Sequence, residues 1–306
     1  MSDNSAQAAM HPTSAVSVRE LLECGVHFGH RTERWNPKMD TYIFGARNGV
    51  HIIDLTQTEA LLRRATEFVR SVVSDGKPVL FVGTKKQAQD VLIQEAQRCE
   101  QYFVVTRWLG GTLTNWKTIR ASIDKLRGIE KMSEDGTYEK LTKKEVLKLE
   151  RARAKLERNL GGIKDMPGMP GAVFIVDPAK EHIAVAEANR LKIPVVALAD
   201  TNADPEQIQY VIPGNDDAIR SIKLITSAVS EAALEGGRLG KQRAVDSVHT
   251  GENSPEPIRV TTGGDGPKVE LVTRRGTLPT AEATASPEDE NAAAAAAATP
   301  EGGGNN

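Results

Sequence analysis

The chain has 306 residues, of which 26% are charged and 4% aromatic, and its formal net charge is −2. That length buries one sizeable core with room for a second module, and no stretch is apolar for long enough to span a bilayer, which argues against a helical membrane protein. Cys24 and Cys99 are far apart with no C-x-x-C spacing, which argues against a disulfide scaffold and makes a reducing compartment, the cytoplasm, the expectation.

In chain order, residues 1–15 lack a charged stretch followed by an apolar core, so they read as a mobile extension and not a secretory signal. Residues 18–24 suit a short helix stopped at Gly25. The segment HFGHRTERWNPKM follows, dense in His, Arg, Trp and Lys. Short strand-like runs at 42–44 and 51–55 flank the turn Asn48-Gly49. Thr56 with Glu59 reads as a capping box, and Leu61, Leu62, Ala65, Phe68, Val69 and Val72 then recur at helical spacing up to Gly76.

Residues 79–82 form a short, wholly apolar strand of the kind buried in a parallel sheet. A helix over 85–98 and a strand at 103–105 come next. Further strands are expected at 172–176, 195–199 and 210–212, with helices at 184–190 and 218–234, the last capped by Asn215. Strands alternating with helices imply parallel pairing and right-handed crossovers. The expected fold is therefore an α/β three-layer sandwich with a parallel sheet, flavodoxin-like or Rossmann-like.

That domain is interrupted. Residues 16–116 and 166–236 belong to the sandwich, and residues 117–165 form an insertion. One helix of the insertion carries Ile119, Ile123, Leu126, Ile129 and Met132 on one side. The other opens with a second capping box, Thr142 and Glu145, and carries Val146, Leu149, Leu156 and Leu160. Two helices with such narrow apolar seams satisfy each other as an antiparallel coiled-coil hairpin. Beyond residue 236 the periodicity fades into Gly, Pro, Thr, acids and an alanine run, so 237–306 is expected to be a disordered acidic, Ala-rich tail.

Charge is unevenly placed. Residues 117–165 hold fourteen bases and nine acids, whereas residues 249–306 hold four bases and nine acids. The insertion thus favours an anionic partner, although many solvated helices have a similar balance. At the junction lies TRWLGGTLTNWK, residues 106–117. A basic, aromatic, glycine-bearing loop suits a phosphate backbone and stacked bases. It equally suits a loop whose tryptophans anchor the insertion to the sheet.

Enzyme signatures are missing. Gly83-Thr84-Lys85-Lys86 follows a strand but matches neither G-x-x-x-x-G-K-[ST] nor G-x-G-x-x-G, and no G-x-S-x-G elbow occurs. A phosphosugar- or nucleotide-binding enzyme and a purely protein-binding adaptor remain the rival classes. A metal site is more open. His27-x-x-His30 brings two imidazoles together if the backbone is helical. Asp177 and Asp200 end strands and Asp216 opens the last helix, so these acids line the carboxyl edge of a parallel sheet. A histidine with two aspartates could hold Zn²⁺. The competing reading gives Asp216 and Asp217 to a helix N-terminus and the histidines to local hydrogen bonds.

Several stretches in fixed order carry a resemblance: GVHFGHRTERWNPKM at 25–39, HIIDL at 51–55, VLFVGTKKQA at 79–88, RWLGGTLTNWKT at 107–118, LTKKE at 141–145, NLGGIKDM at 159–166, EHIAVAEANRLKIPV at 181–195, DTNADP at 200–205 and IPGNDDAIRSI at 212–222. From about residue 16 to 236 the chain resembles the bacterial small-subunit ribosomal proteins of the S-two family. The resemblance implies an α/β sandwich with an inserted hairpin, and a structural role on the small subunit near its head–body junction. It implies rRNA and neighbouring ribosomal proteins as partners, among them the large OB-repeat protein that captures mRNA. It also implies a zinc site with Asp200 and Asp216, completed by a histidine of the HFGH segment, His27 or His30. No small-molecule substrate and no required cofactor are implied.

The expected role is that of a non-catalytic rRNA-binding scaffold. Arg34, Lys38, Lys85, Lys86, Arg107, Lys117, Lys143 and Lys144 are the expected phosphate ligands. Reversal of Lys85 and Lys86 to Glu is expected to weaken assembly without unfolding the protein. Trp35, Trp108 and Trp116 are offered for stacking on bases or ribose, with burial as the competing use. Asn36 and Asn115 are offered for directional hydrogen bonds, with local turns as the competing use.

Overall fold

The computed structural model describes residues 16–249. The expected mobile extension at 1–15 and the tail from 250 onward lie outside the described residues. The chain starts with α1 (Val18–Glu23), fixed by a capping box between Ser17 and Glu20. Three short strands follow, β1 (Phe28–Arg31), β2 (Ile43–Arg47) and β3 (Val50–Ile53), paired antiparallel in the order β1-β3-β2. The β1 strand was not among the expected elements. Its pairing of Phe28 with Ile52 removes His27-x-x-His30 from any helical turn, because the ladder to β3 decides the local backbone. The helix α2 (Leu55–Ser74) begins one residue before Thr56. The side chain of Asp54, not of Thr56, caps it by accepting from the Thr56 N–H at 3.0 Å.

The larger sheet contains β4 (Val79–Val82), β5 (Tyr102–Val104), β6 (Ala172–Val176), β7 (Val195–Ala199) and β8 (Tyr210–Pro213). All its pairs are parallel, in the order β5-β4-β6-β7-β8. Numbered among themselves, these strands run 2-1-3-4-5, the doubly wound order of flavodoxin-like sheets. Every residue of β4, β6 and β7 is buried, as continuous apolar runs predict for a sheet covered on both faces.

The alternation along those strands feeds two apolar layers. Val79, Phe81, Phe174, Val176, Val196 and Leu198 pack with α2, α3 (Lys86–Arg98) and α7 (Ile219–His249). Leu80, Val82, Val173, Ile175, Val195 and Ala197 pack with α6 (His182–Arg190), Trp108, Leu113 and the first turns of α4 (Trp116–Glu134). The molecule is thus an α/β three-layer arrangement with a small antiparallel sheet beside it.

Two helices occupy the insertion, α4 and α5 (Lys143–Leu160), and they pack on each other. The capping box of Thr142 and Glu145 opens α5. On α4, Ile119, Ile123, Leu126 and Ile129 are buried, but Met132, expected on the same side, is exposed. The closing helix differs most from expectation. It continues to His249, past residue 236 where the sequence suggests a tail. Gly236 and Gly240 lie against the backbone of α2 near Arg70 and Ser74. That close approach extends the helix pair further than the fading apolar pattern indicates.

Candidate functional site

The carboxyl ends of four parallel strands meet at the point where the strand order reverses, between β4 and β6. Lys85 follows β4, Asp177 ends β6, Asp200 ends β7, and Asp216 follows β8. Ligands favour such a crevice. Asp177 sits there with φ +64°, a left-handed backbone uncommon outside glycine. The ammonium of Lys85 lies 2.9 Å from Asp177 Oδ2, 2.7 Å from Asp216 Oδ1 and 2.8 Å from Asp217 Oδ1. Burial works against the Lys85 charge, but Asp216, Asp217 and Asp177 prevail and hold its ammonium above the ordinary lysine value. Lys85 is therefore no free phosphate ligand. Lys86, its neighbour, is exposed.

The small sheet supplies the other half of the site. His30 on β1 places Nδ1 2.9 Å from Asp200 Oδ2 and Nε2 3.7 Å from Asp217 Oδ2. Asp200 Oδ1 accepts from the backbone N–H of His30 at 3.2 Å. The hydrogen bond that the imidazole donates to Asp200 raises His30, against desolvation. Asp216 is fully buried, and its Oδ2 has no hydrogen-bond partner among the described residues. Burial, then the charges of Asp200 and Asp177, push its carboxyl up to about 7.

His30, Asp216 and Asp217 form a metal-capable group, each offering one ligand atom, all within 4.8 Å of one another. An imidazole with carboxylates is a donor set that Zn²⁺ accepts, and the orphaned Asp216 oxygen fits a cation. This group differs from the expected one. His27 takes no part in it, since the β1 ladder starts between the two histidines; burial lowers His27. Asp200 stands one step back, behind the imidazole, in the manner of a carboxylate that orients a histidine. Asp217 replaces it. The sequence carried a signal for Asp217, the Asp-Asp pair after β8, but a helix N-terminus explained that pair equally well.

The expected RNA-facing residues separate into two sets. Arg34, Lys86, Arg107, Asn115, Lys117, Lys143 and Lys144 are exposed. Lys38 is exposed but bridges Asp204 and Glu206. Trp35 is half-buried, with its ring centroid 5.1 Å from that of His51. Asn36 turns inward to the Lys38 N–H at 3.1 Å, and Asn115 Oδ1 accepts from Thr118 Oγ1 at 2.9 Å. Trp108 is buried in the sheet's second apolar layer, and Trp116 packs at its margin. The burial of Trp108 favours the anchoring alternative for that side chain, because its indole is not available to a base.

Sequence reasoning missed Glu187 of α6. Its buried carboxylate accepts from Trp108 Nε1 at 3.0 Å, from the N–H groups of Gly111, Leu113 and Thr114 at 2.7, 3.0 and 3.1 Å, and from Thr114 Oγ1 at 3.1 Å. Burial raises such a carboxyl, but these donors outweigh it and hold Glu187 below the ordinary value. It also missed Phe28 and Phe44, exposed on the small sheet at 48% and 81%.

The sequence model of the family described as Ribosomal protein S2 matches residues 21–236. The Small ribosomal subunit protein uS2 of Sorangium cellulosum (strain So ce56) is 54% identical over 252 residues, covering 81% of this chain and 91% of that protein. The chain belongs to the ribosomal protein S2 family. A ribosomal protein S2 is a structural component of the small subunit in translation and not an enzyme.

Proposed function

We propose that this protein is an rRNA-binding scaffold of the cytoplasmic small ribosomal subunit and that it supports docking of the large OB-repeat mRNA-binding ribosomal protein. The observation that carries the RNA reading is the sorting of its bases. Arg34, Lys86, Arg107, Lys117, Lys143 and Lys144 project from the fold, where they can neutralise phosphates. The helices α4 and α5 act as one coiled-coil hairpin that extends the sandwich of residues 16–116 and 166–236. In support, Val146, Leu149 and Leu156 of α5 are half-buried and Leu160 is buried, spaced like an a/d seam.

The docking reading rests on the exposed Phe28 and Phe44, carried by β1 and β2 of the small sheet that also holds His30. Exposed aromatics on a small sheet suit a protein partner. A zinc ion held by His30, Asp216 and Asp217 would fix β1 to the loop before α7 and so firm that surface, as a structural site does.

Sedimentation of small-subunit particles from cells carrying Lys143→Glu/Lys144→Glu tests the RNA reading. The variant is expected to fall several-fold behind the wild type in particles while its circular dichroism stays native. Wild-type incorporation would remove these lysines from the interface. For docking, Phe44→Ala should reduce the OB-repeat protein on isolated subunits without lowering this protein's own occupancy.

A further inference from the structure

The loop 106–117 has an inner side and an outer side. Trp108 and Leu113 enter the apolar layer under the sheet, while Arg107, Asn115 and Lys117 stay in solvent. Apolar packing alone is non-directional, so it cannot fix where those bases point. Glu187 can. Five donors from four loop residues converge on its two oxygens. An ionised carboxylate is acceptor-only and suits a ring made wholly of donors. Gly111 takes φ +89° within that ring, a backbone open mainly to glycine. Its turn also holds the Asn115 N–H on the Gly111 carbonyl at 2.8 Å, and α4 starts immediately afterwards. At its other end the loop is tied to α5 by Thr106 Oγ1, which donates to the Arg158 carbonyl at 3.0 Å.

We infer that Glu187 is a positioning residue for rRNA binding: its buried carboxylate sets the one loop shape in which Arg107 and Lys117 face the same phosphate backbone. The inference rests on the RNA reading given above and adds a residue that never touches RNA. A buried carboxylate is a costly way to tie down a loop. It is justified when direction matters, since charge-assisted hydrogen bonds fix geometry that apolar contacts leave loose.

The test is full-length protein binding to small-subunit rRNA across a salt series, with Glu187→Gln, Arg107→Ala/Lys117→Ala and the triple variant. Each phosphate contact contributes about −0.7 to −0.9 to the slope of log K against log salt. Loss of Arg107 and Lys117 should therefore flatten the slope by roughly 1.4 to 1.8. Gln keeps the shape of Glu but turns an amide N–H₂ into a ring of donors, so E187Q should flatten the slope by a similar amount. The triple variant should lose no more than the double one. An unfolded fraction lowers the active concentration but not this slope, which separates positioning from mere stability. Should E187Q not fold, Glu187→Asp keeps the charge and shortens the reach, and its slope decides instead. A wild-type slope in E187Q or E187D, beside a flattened one in R107A/K117A, overturns the inference alone. A wild-type slope in R107A/K117A removes the loop from the RNA interface, and Glu187's role with it.

Discussion

Lys85 shows how far burial changes the job of a side chain. A lysine beside a strand end reads as a phosphate ligand, yet here three aspartates enclose it. Removing one partner of a buried ion group costs about 3–5 kcal/mol. Lys85→Met should therefore lower the denaturation midpoint strongly, and Asp216→Asn in the same chain should recover part of the loss; urea titrations of both variants check this. The same geometry corrects the expectation that reversing Lys85 and Lys86 leaves the fold intact. Lys85→Glu gathers like charges in one buried spot, so only Lys86→Glu, on an exposed side chain, should leave the fold native. Glu187 predicts a pH effect of definite sign. Its folded value lies below its ordinary 4.5, so its contribution is present above that pH and fades as pH falls through the lower folded value. Melting temperatures should drop on acidification below about 4.5 more in the wild type than in E187Q.

At the scale of elements, the contact between α2 and α7 depends on individual glycines. A Cβ at Gly236 would meet the Arg70 carbonyl oxygen at 2.5 Å, whereas one at Gly237 would meet only Val73 Cγ1 at 3.9 Å. Overpacking costs about 1–3 kcal/mol, and replacing a helical glycine by alanine gains up to about 1 kcal/mol where space allows. Gly236→Ala should therefore destabilise and Gly237→Ala stabilise, read as opposite shifts in thermal melts. Adjacent glycines with opposite signs are a stringent check on the path of α7. Local sequence rules served elements unevenly here. The buried strands β4, β6 and β7 fall where apolar runs place them, because both faces are covered and no alternation confuses the pattern. By contrast, β1 is short and polar, and only its pairing with β3 makes it a strand.

For the whole molecule, the contribution of the last turns of α7 is itself testable. The helix α7 reaches His249 and packs on α2. A chain ending at residue 236, where the apolar pattern weakens, should melt lower than one ending at residue 249, because it loses the turns around Gly240 that lie on Ser74.

The sequence by itself determined the layered α/β plan, the place of the inserted helices and the family, since each rests on local patterns: apolar runs, capping boxes and contiguous motifs. It also located most of the acids that gather at the sheet's carboxyl edge. Only the tertiary structure decided which bases remain free. Lys85 and Lys38 are claimed by acids distant in sequence, as is the Trp108 indole by Glu187. Whether a charge is available to a partner depends on what else has folded beside it, and no local pattern carries that information.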